Sequence, residues 1–208
     1  MLNRIARLDD EDAPEKNGEA DKEKVRDKTP AIEERLFKAR TILIFGGIDQ
    51  KLAKEVSARL LALQSASEDP ITIFINSQGG HVESGDTIYD MIKFVKPDVR
   101  VVGTGWVASA GALIYAAAKP ENRFSLPNTR FLLHQPSGGA GGTASDVAIQ
   151  AKEIIRMRKR LNEIFARETG QPIERIEKDT DRDYWMSAEQ AVEYGLVGKI
   201  VQNAREID

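Results

Sequence analysis

Short apolar runs alternate along this chain with longer segments in which apolar residues recur every three or four positions. The runs Thr41 to Phe45 and Ile71 to Ile75 are each followed by glycines, a pattern that predicts two buried strands. Between them, Asp49 offers a helix N-cap, and the apolar positions after it have helical spacing. These positions are Leu52, Val56, Leu60 and Leu63. Strands that alternate with helices in this way predict an α/β domain.

Short apolar runs and segments with helical spacing continue to alternate through the rest of the chain. They predict strands at Arg100 to Val102 and at Thr129 to Leu133. They also predict three further helices, which are Val82 to Val95, Ala108 to Ala118 and Ser145 to Arg167. Gly170 is suited to end the longest of these helices. Ser187 to Gln190 has the pattern of a capping box for one more short helix.

The first 35 residues differ in composition from the rest. They are rich in charges of both signs and poor in aromatic residues, with the acidic run Asp9 to Asp12. Such a segment buries too little apolar surface to offset its ordering entropy, so we expect residues 1–35 to be flexible or ordered only by a partner. Residues 36–208 show no internal repeat, and we expect them to form a single domain. Since no apolar stretch follows the first basic residues, we expect no signal or transit peptide.

Composition narrows the chemistry that this chain can perform. Its 208 residues include no cysteine, which excludes disulfides, thiolate zinc sites and a cysteine nucleophile. The two histidines are too few for a His-rich metal cluster, and the net charge of −3 argues against a general nucleic-acid binder. No stretch approaches the roughly 20 apolar residues that span a bilayer. The available chemistry therefore uses hydroxyls, carboxylates and imidazole. We expect a cytoplasmic protein.

Ser109 stands among small residues where a predicted strand gives way to a predicted helix, in the segment GWVASAG at residues 105–111. A nucleophilic hydroxyl needs such an exposed turn and small neighbours, so that substrate can approach. The same residues also suit a plain helix N-cap with tight packing, and the motif by itself leaves both interpretations open. Its spacing differs from Gly-x-Ser-x-Gly, so the hydrolase fold that uses that motif is not supported.

The two histidines are rival candidates for a general base. His134 follows the apolar residues Phe131 to Leu133, and an imidazole there could take a serine proton. His81 precedes a predicted helix, whose N-terminal dipole disfavours an imidazolium and makes this residue the poorer proton acceptor. A carboxylate partner could come from the acidic cluster Asp179 to Asp183, but the local pattern does not distinguish its three aspartates.

Gly79 and Gly80 close the second predicted strand in the segment NSQGG. Adjacent glycines allow backbone N–H groups to face a ligand oxygen without obstruction from a Cβ atom. An oxyanion site and a plain tight turn fit this motif equally well. A phosphate site is disfavoured, because the segment contains neither Gly-x-Gly-x-x-Gly nor a glycine-lysine-serine/threonine ending.

Taken in order, four motifs resemble those of the Clp protease proteolytic subunits. They are INSQGG with the following GDTIYDMIKFVKPDV, then VASAGALIYAAA, then FSLPNTRFLLHQPSGG, and finally DTDRDYWMSAEQAVEYGLV. The resemblance extends from about Thr41 to Val201. This chain departs from the usual family residues at Gln78, His81 and Ser137, and residues 1–40 do not resemble the family's N-terminal segment.

The resemblance implies a serine endopeptidase with the crotonase-like αβ superhelix and a protruding helix–strand handle. Ser109 matches the family nucleophile, His134 the general base and Asp183 the third member of the triad. Gly80 and Ala110 match the residues whose backbone N–H groups form the oxyanion hole. The implied chemistry is hydrolysis of peptide bonds in unfolded polypeptides by acyl transfer, with no metal or organic cofactor.

The resemblance also implies an assembly and a partner. Family members stack two heptameric rings through the handle, forming a tetradecamer that encloses the active sites, and an AAA+ unfoldase threads polypeptides into it. The handle here would comprise Gly138 to Gly142 and the helix Ser145 to Arg167. Two alternatives stay open: a catalytically silent structural subunit of a mixed ring, and an acyl-CoA enzyme of the related crotonase fold.

Overall fold

Parallel strands linked by helices make up most of the structure, a computed structural model that describes residues 30–139 and 141–207. The chain divides into two units, Met1–Lys38 and Ala39–Asp208. In the first unit, residues 30–38 form helix α1. The expectation of a flexible segment at residues 1–35 falls largely outside the described residues. The second unit contains the sheet, its helices and all of the candidate site residues.

The described sheet has seven strands, and most of it is parallel. The strands are β1 (Thr41–Ile48), β2 (Ile71–Gly80), β3 (Val99–Ala108), β4 (Arg123–Ser125), β5 (Arg130–Leu133), β6 (Tyr184–Met186) and β7 (Lys199–Ile200). Five of them lie in the parallel order β1–β2–β3–β4–β7. β5 pairs in parallel with the last part of β3, and β6 adds antiparallel to β5. The predicted α/β class is confirmed.

Helices connect the first strands, because parallel pairing requires long crossovers. The helices are α2 (Gln50–Ala66), α3 (Val82–Phe94), α4 (Ala110–Ala116), α5 (Ala144–Thr169), α6 (Ile173–Asp179) and α7 (Ala188–Glu193). Two predicted caps are confirmed: the Asp49 carboxylate accepts from the Leu52 N–H at 2.8 Å, and Ser187 forms a capping box with Gln190. Gly170 ends α5 with a left-handed φ of 73°.

Three strands extend further than their apolar runs predict, and the first of them, β1, continues through its two glycines to Ile48. β2 continues through the NSQGG segment to Gly80, and β3 runs on to Ala108 instead of ending at Val102. These extensions contain glycine and polar residues, so apolar periodicity does not mark them. They are nevertheless paired, Gly80 with Ile48 and Ala108 with Leu132. The short strands β4, β6 and β7 were not predicted, since two or three residues carry no measurable period.

Helix α5 corresponds to the helical part of the expected handle. It spans 26 residues, exposed through its first turns, and buries Leu161, Ile164 and Phe165 near its end. None of the described residues between Leu133 and α5 forms the expected strand. A strand needs a neighbour for its backbone groups, whereas the backbone of Gly141 bonds to the side chain of Gln150.

A buried charge ties α5 to the sheet. The Arg123 side chain of β4 is fully buried and donates to three backbone oxygens at 2.6–2.8 Å. Its Nη2 also lies 2.7 Å from Oε2 of Glu168 in α5. The other oxygen, Oε1, accepts from the Tyr89 hydroxyl at 2.5 Å and lies 3.0 Å from the Lys93 ammonium. Two helices and a strand therefore meet at one carboxylate.

The surroundings of Glu168 keep it ionised. Burial would raise the pKa of this carboxyl, but hydrogen bonds from Tyr89 and Lys93, together with the charges of Lys93 and Arg123, bring the pKa below its ordinary value. For Tyr89, burial and the hydrogen bond to Glu168 raise the hydroxyl pKa to about 12. Glu168 is thus the anion that compensates the buried Arg123.

We expect Glu168→Gln to lower the free energy of unfolding by about 3–5 kcal/mol at neutral pH, because it leaves Arg123 as an uncompensated buried charge. A carboxyl with a depressed pKa stabilises the fold above its unfolded pKa, and this contribution disappears as pH falls through the folded value. The difference in unfolding free energy between wild type and variant should therefore shrink below pH 4.5, which is the ordinary pKa of a glutamate carboxyl. Urea unfolding over this pH range measures both effects.

Glu153→Gln is the matched control, since Glu153 pairs with Arg156 on the exposed surface of the same helix. Exposed pairs contribute at most about 1 kcal/mol. An equally small loss of unfolding free energy in Glu168→Gln would contradict the stabilising role of the buried pair of Arg123 and Glu168.

Candidate active site

Ser109 is the single residue between β3 and α4, and its backbone is strained. Its φ of 56° and ψ of −122° lie in a region that residues with a Cβ atom rarely occupy. The Ser109 N–H donates to the Leu132 carbonyl at 3.0 Å, while its carbonyl accepts from Ala112 and Leu113. A sharp strand-to-helix turn of this kind exposes a hydroxyl at the end of a sheet.

Gly79 makes room for this turn. A Cβ atom at Gly79 would lie 2.6 Å from the Ser109 Cβ and 3.2 Å from the Ala110 nitrogen, so any side chain there would displace the serine. The Gly79 N–H donates to the Ser77 hydroxyl at 3.0 Å, which in turn donates to the Gly46 carbonyl. Sequence reasoning assigned no separate role to Gly79. The pair of adjacent glycines was the available signal.

Gly80 and Ala110 lie on the two segments that Gly79 brings together. Gly80 has a φ of 153°, and a Cβ atom there would lie 2.3 Å from the Ile48 carbonyl oxygen. Ala110 is the first residue of α4, so its N–H has no acceptor within the helix. Ala110 directly follows Ser109 in the chain, and Gly80 directly follows the glycine that packs against Ser109.

His134 and Asp183 are joined through the antiparallel pairing of β5 and β6. Leu133 pairs with Tyr184 at the end of this ladder, so the next residues, His134 and Asp183, face each other. His134 Nδ1 lies 3.0 Å from Asp183 Oδ1, with the imidazole about a quarter exposed. Two further bonds fix the segment, from the Gln135 N–H to the Thr180 carbonyl and from its side chain to Asp181.

The structure also distinguishes the three aspartates of the acidic cluster. Asp179 accepts from the Tyr194 hydroxyl at 3.0 Å, and Asp181 pairs with Arg158 at 3.1 Å. Asp183 is the one that contacts an imidazole. This distinction depends on strand register, which local sequence does not reveal.

His81 lines a different cavity. Its Nδ1 lies 2.9 Å from the Ser84 hydroxyl, and its Nε2 lies 3.4 Å from a Glu83 oxygen. The cavity beside it has a volume of about 310 Å³ and also borders α2 through Gln50 and Lys54. The imidazole of His81 therefore contacts α3 groups outside the pocket that contains Ser109.

Ser109 and His134 line one pocket, whose remaining walls are almost entirely apolar. The other lining residues are Ala110, Val82, Leu113, Leu133, Pro136, Leu161 and Phe165. Among the hydrogen bonds of the described residues, none joins the Ser109 hydroxyl to His134. In proteins without bound substrate, catalytic contacts are often longer than hydrogen bonds and shorten on binding. The pocket therefore combines an apolar lining with one hydroxyl and one imidazole.

An ion pair stands beside this pocket. Asp86 lies one helical turn after Val82 on α3, and its carboxylate pairs with Arg160 of α5. Burial raises the pKa of the Asp86 carboxyl above its ordinary value. The charge of Arg160 acts to lower this pKa, and the nearby charges of Asp90 and Glu83 act to raise it. The pair joins two of the helices that supply the apolar wall.

The described residues contain neither a metal-binding cluster nor a membrane-spanning helix. In the described part of the chain, no three His, Asp or Glu side chains cluster closely enough to hold a metal ion. Across residues 30–139 and 141–207, no helix combines the length and apolar character needed to cross a membrane.

Comparison with known proteins identifies one family. The family model described as Clp protease matches residues 23–204. The ATP-dependent Clp protease proteolytic subunit 2 of Gluconobacter oxydans is 58% identical over 205 residues, covering 97% of this chain and 92% of the relative. Subunit 3 of Rhizobium meliloti is 64% identical over 175 residues, covering 84% and 90%. The solved structure of ClpP1 from Listeria monocytogenes has a TM-score of 0.77 and 59% identity, covering 85% of this chain and 99% of that chain.

These matches correct one expectation and confirm another. Because the family match begins at residue 23, the resemblance is not confined to Thr41–Val201 and extends into the N-terminal segment. The similar solved structures have the crotonase-like fold, as predicted. With a family match over most of its length and relatives at 58–64% identity, this chain belongs to the Clp protease family as a serine peptidase subunit.

Proposed function

We propose that this chain hydrolyses peptide bonds in unfolded polypeptides with Ser109 as nucleophile, His134 as general base and Asp183 as the residue that orients the base. One observation carries the proposal: Asp183 lies 3.0 Å from His134, whose imidazole lines the same pocket as the strained Ser109. The Asp183 carboxylate accepts a hydrogen bond from the Nδ1–H of His134, which leaves Nε2 of the same ring as the proton acceptor.

In the first step, the Ser109 hydroxyl attacks the peptide carbonyl while His134 Nε2 takes its proton. Asp183 stabilises the imidazolium that forms and remains ionised. The N–H groups of Gly80 and Ala110 donate to the developing oxyanion, each interaction contributing about 3–4 kcal/mol to transition-state stabilisation. His134 then protonates the leaving amine. A water molecule, activated by the same imidazole, hydrolyses the acyl-enzyme and restores the serine.

The apolar pocket supplies the substrate preference. Its side chains come mostly from α3, α4 and α5, with Leu133 and Pro136 on either side of the histidine. None of its other lining residues is charged, so a charged side chain would lose its hydration without gaining a partner. The proposal is therefore cleavage after apolar residues.

The names of the relatives support an ATPase partner. Those of Gluconobacter oxydans and Rhizobium meliloti are called ATP-dependent, and we propose that an AAA+ ATPase likewise delivers polypeptides to this chain. The exposed first half of α5 is suited to contacts between rings, and the proposed assembly is two stacked heptameric rings in the cytoplasm. A silent subunit and an acyl-CoA enzyme are not favoured by the comparisons.

We expect Ser109→Ala to reduce hydrolysis of an unstructured peptide by at least about 10⁵-fold, because no other group forms the acyl-enzyme. Asp183→Ala should reduce hydrolysis by a factor that is roughly ten to a hundred times smaller, because Asp183 orients the base and does not bond to substrate. Turnover assays measure both losses, and fluorophosphonate labelling with peptide mapping should mark Ser109. Ser65→Ala, on the exposed side of α2, is the control. Labelling of a different serine would contradict the assignment.

We expect His134→Gln to remove most of the hydrolysis of an unstructured peptide, because His134 is the imidazole that lines the same pocket as Ser109. His81→Gln should retain turnover close to that of the wild type, because His81 lies outside the pocket. Turnover assays of both variants provide the measurement, and a comparable loss in His81→Gln would show that the wrong base was chosen.

We expect Val82→Phe, which narrows the apolar pocket, to lower kcat/KM for peptides with phenylalanine before the cleaved bond by about tenfold or more. Peptides with alanine there should be affected less, since they leave the pocket partly empty. Val192→Phe on the surface of α7 is the matched control. Equal losses for both peptides in Val82→Phe would argue against this pocket as the specificity site.

A further inference from the structure

The two tryptophans of the chain lie together on one exposed surface. Trp106 of β3 and Trp185 of β6 have nearly parallel rings, 7° apart in orientation, with centroids separated by 6.5 Å. They are 42% and 37% exposed. Large aromatic side chains that remain exposed as a group commonly mark a binding surface.

Arg130 of β5 lies between the strands that carry these rings. Its guanidinium carbon is 4.2 Å from the centre of the Trp185 ring. No hydrogen bond or ion pair connects this guanidinium to any other described residue. A guanidinium stacked on an indole keeps its N–H edge available for a carboxylate. We call Trp106, Arg130 and Trp185 the tryptophan face.

Strand register makes the tryptophan face continuous with the proposed active site. Arg130 pairs with Trp106, and Leu132 pairs with Trp185. Because side chains alternate along extended chain, Trp185 of β6 lies on the same side as Asp183, which directly precedes the strand, and the two are about 7 Å apart. The tryptophan face therefore begins two residues from the carboxylate that holds His134.

The apolar pocket and the tryptophan face lie on different parts of the site. The pocket is walled mainly by helices α3, α4 and α5, whereas the tryptophan face belongs to the strands beyond His134 and Asp183. A substrate whose side chain fills the pocket presents its leaving amine to His134. The chain that follows the cleaved bond then continues past the imidazole.

We propose that the tryptophan face binds the part of the polypeptide substrate that follows the cleaved bond, and that it prefers an aromatic side chain next to an acidic one. The indoles offer flat apolar surface for stacking with an aromatic ring. Arg130, which forms no hydrogen bond or ion pair with another described residue, offers a cation to the carboxylate. This inference rests on the proposed peptidase function and adds a second determinant of specificity to it.

The two tryptophans also provide the test, because all indole emission of the chain arises from this face. Full-length Ser109→Ala protein is titrated with two peptides that share a leucine before the cleavable bond. One continues with Ala-Phe-Glu and the other with Ala-Ser-Gln. We expect the Phe-Glu peptide to change the emission and to bind about fivefold more tightly, in line with an exposed stacking contact and an ion pair.

Arg130→Gln should remove most of this preference, whereas Arg156→Gln should retain it, because Arg156 is exposed on α5 and pairs with Glu153. Equal affinities for the two peptides, or the same loss in both arginine variants, would overturn the proposal. Emission that responds to dilution of the protein but not to peptide would also overturn it, because a second copy of the chain would then cover the face. Binding is measured without cleavage, so failure of the proposed triad would appear separately, as turnover of either peptide by the Ser109→Ala protein.

Discussion

The strained turn at Ser109 is the constraint on which the site depends. A residue with a Cβ atom held at φ 56° and ψ −122° costs on the order of 1–3 kcal/mol, so its surroundings must enforce the conformation. Leu132 accepts the serine N–H, α4 begins at the next residue, and Gly79 leaves the space that the serine Cβ needs. The buried α4, made mostly of alanine and other apolar residues, provides the close packing around this turn. The paired glycines therefore serve the geometry of the serine as well as the proposed oxyanion site.

Branching of the sheet explains how residues far apart in sequence converge. β3 pairs with β4 along its first half and with β5 along its last residues. The carboxyl ends of β3 and β5 consequently lie side by side, and Ser109 and His134 are the residues that follow them. Sites at the carboxyl ends of parallel strands are common in α/β proteins. The antiparallel addition of β6 then supplies Asp183 from 49 residues further along the chain.

Helix α5 links the stability of the fold to the site. At its end, Glu168 compensates the buried Arg123 and binds α3 through Tyr89 and Lys93. Earlier on the same helix, Leu161 and Phe165 form part of the apolar pocket, and Arg160 pairs with Asp86 of α3. The contacts of Glu168 and the Asp86–Arg160 ion pair thus connect α3 to α5 at two points along the helices. The first turns of α5 stay exposed for other contacts.

The sequence by itself determined the features that depend on neighbouring residues. The spacing of apolar residues, together with the capping residues, predicted the main helices and buried strands. The small residues around Ser109 and the pair of glycines marked the candidate site. Tertiary structure decided which aspartate reaches His134, which cavity His81 borders, and how far β2 and β3 continue through their polar ends. It also placed Trp106 beside Trp185. These features follow from the register between distant strands, and a pairing over 49 residues leaves no trace in the local pattern of either strand.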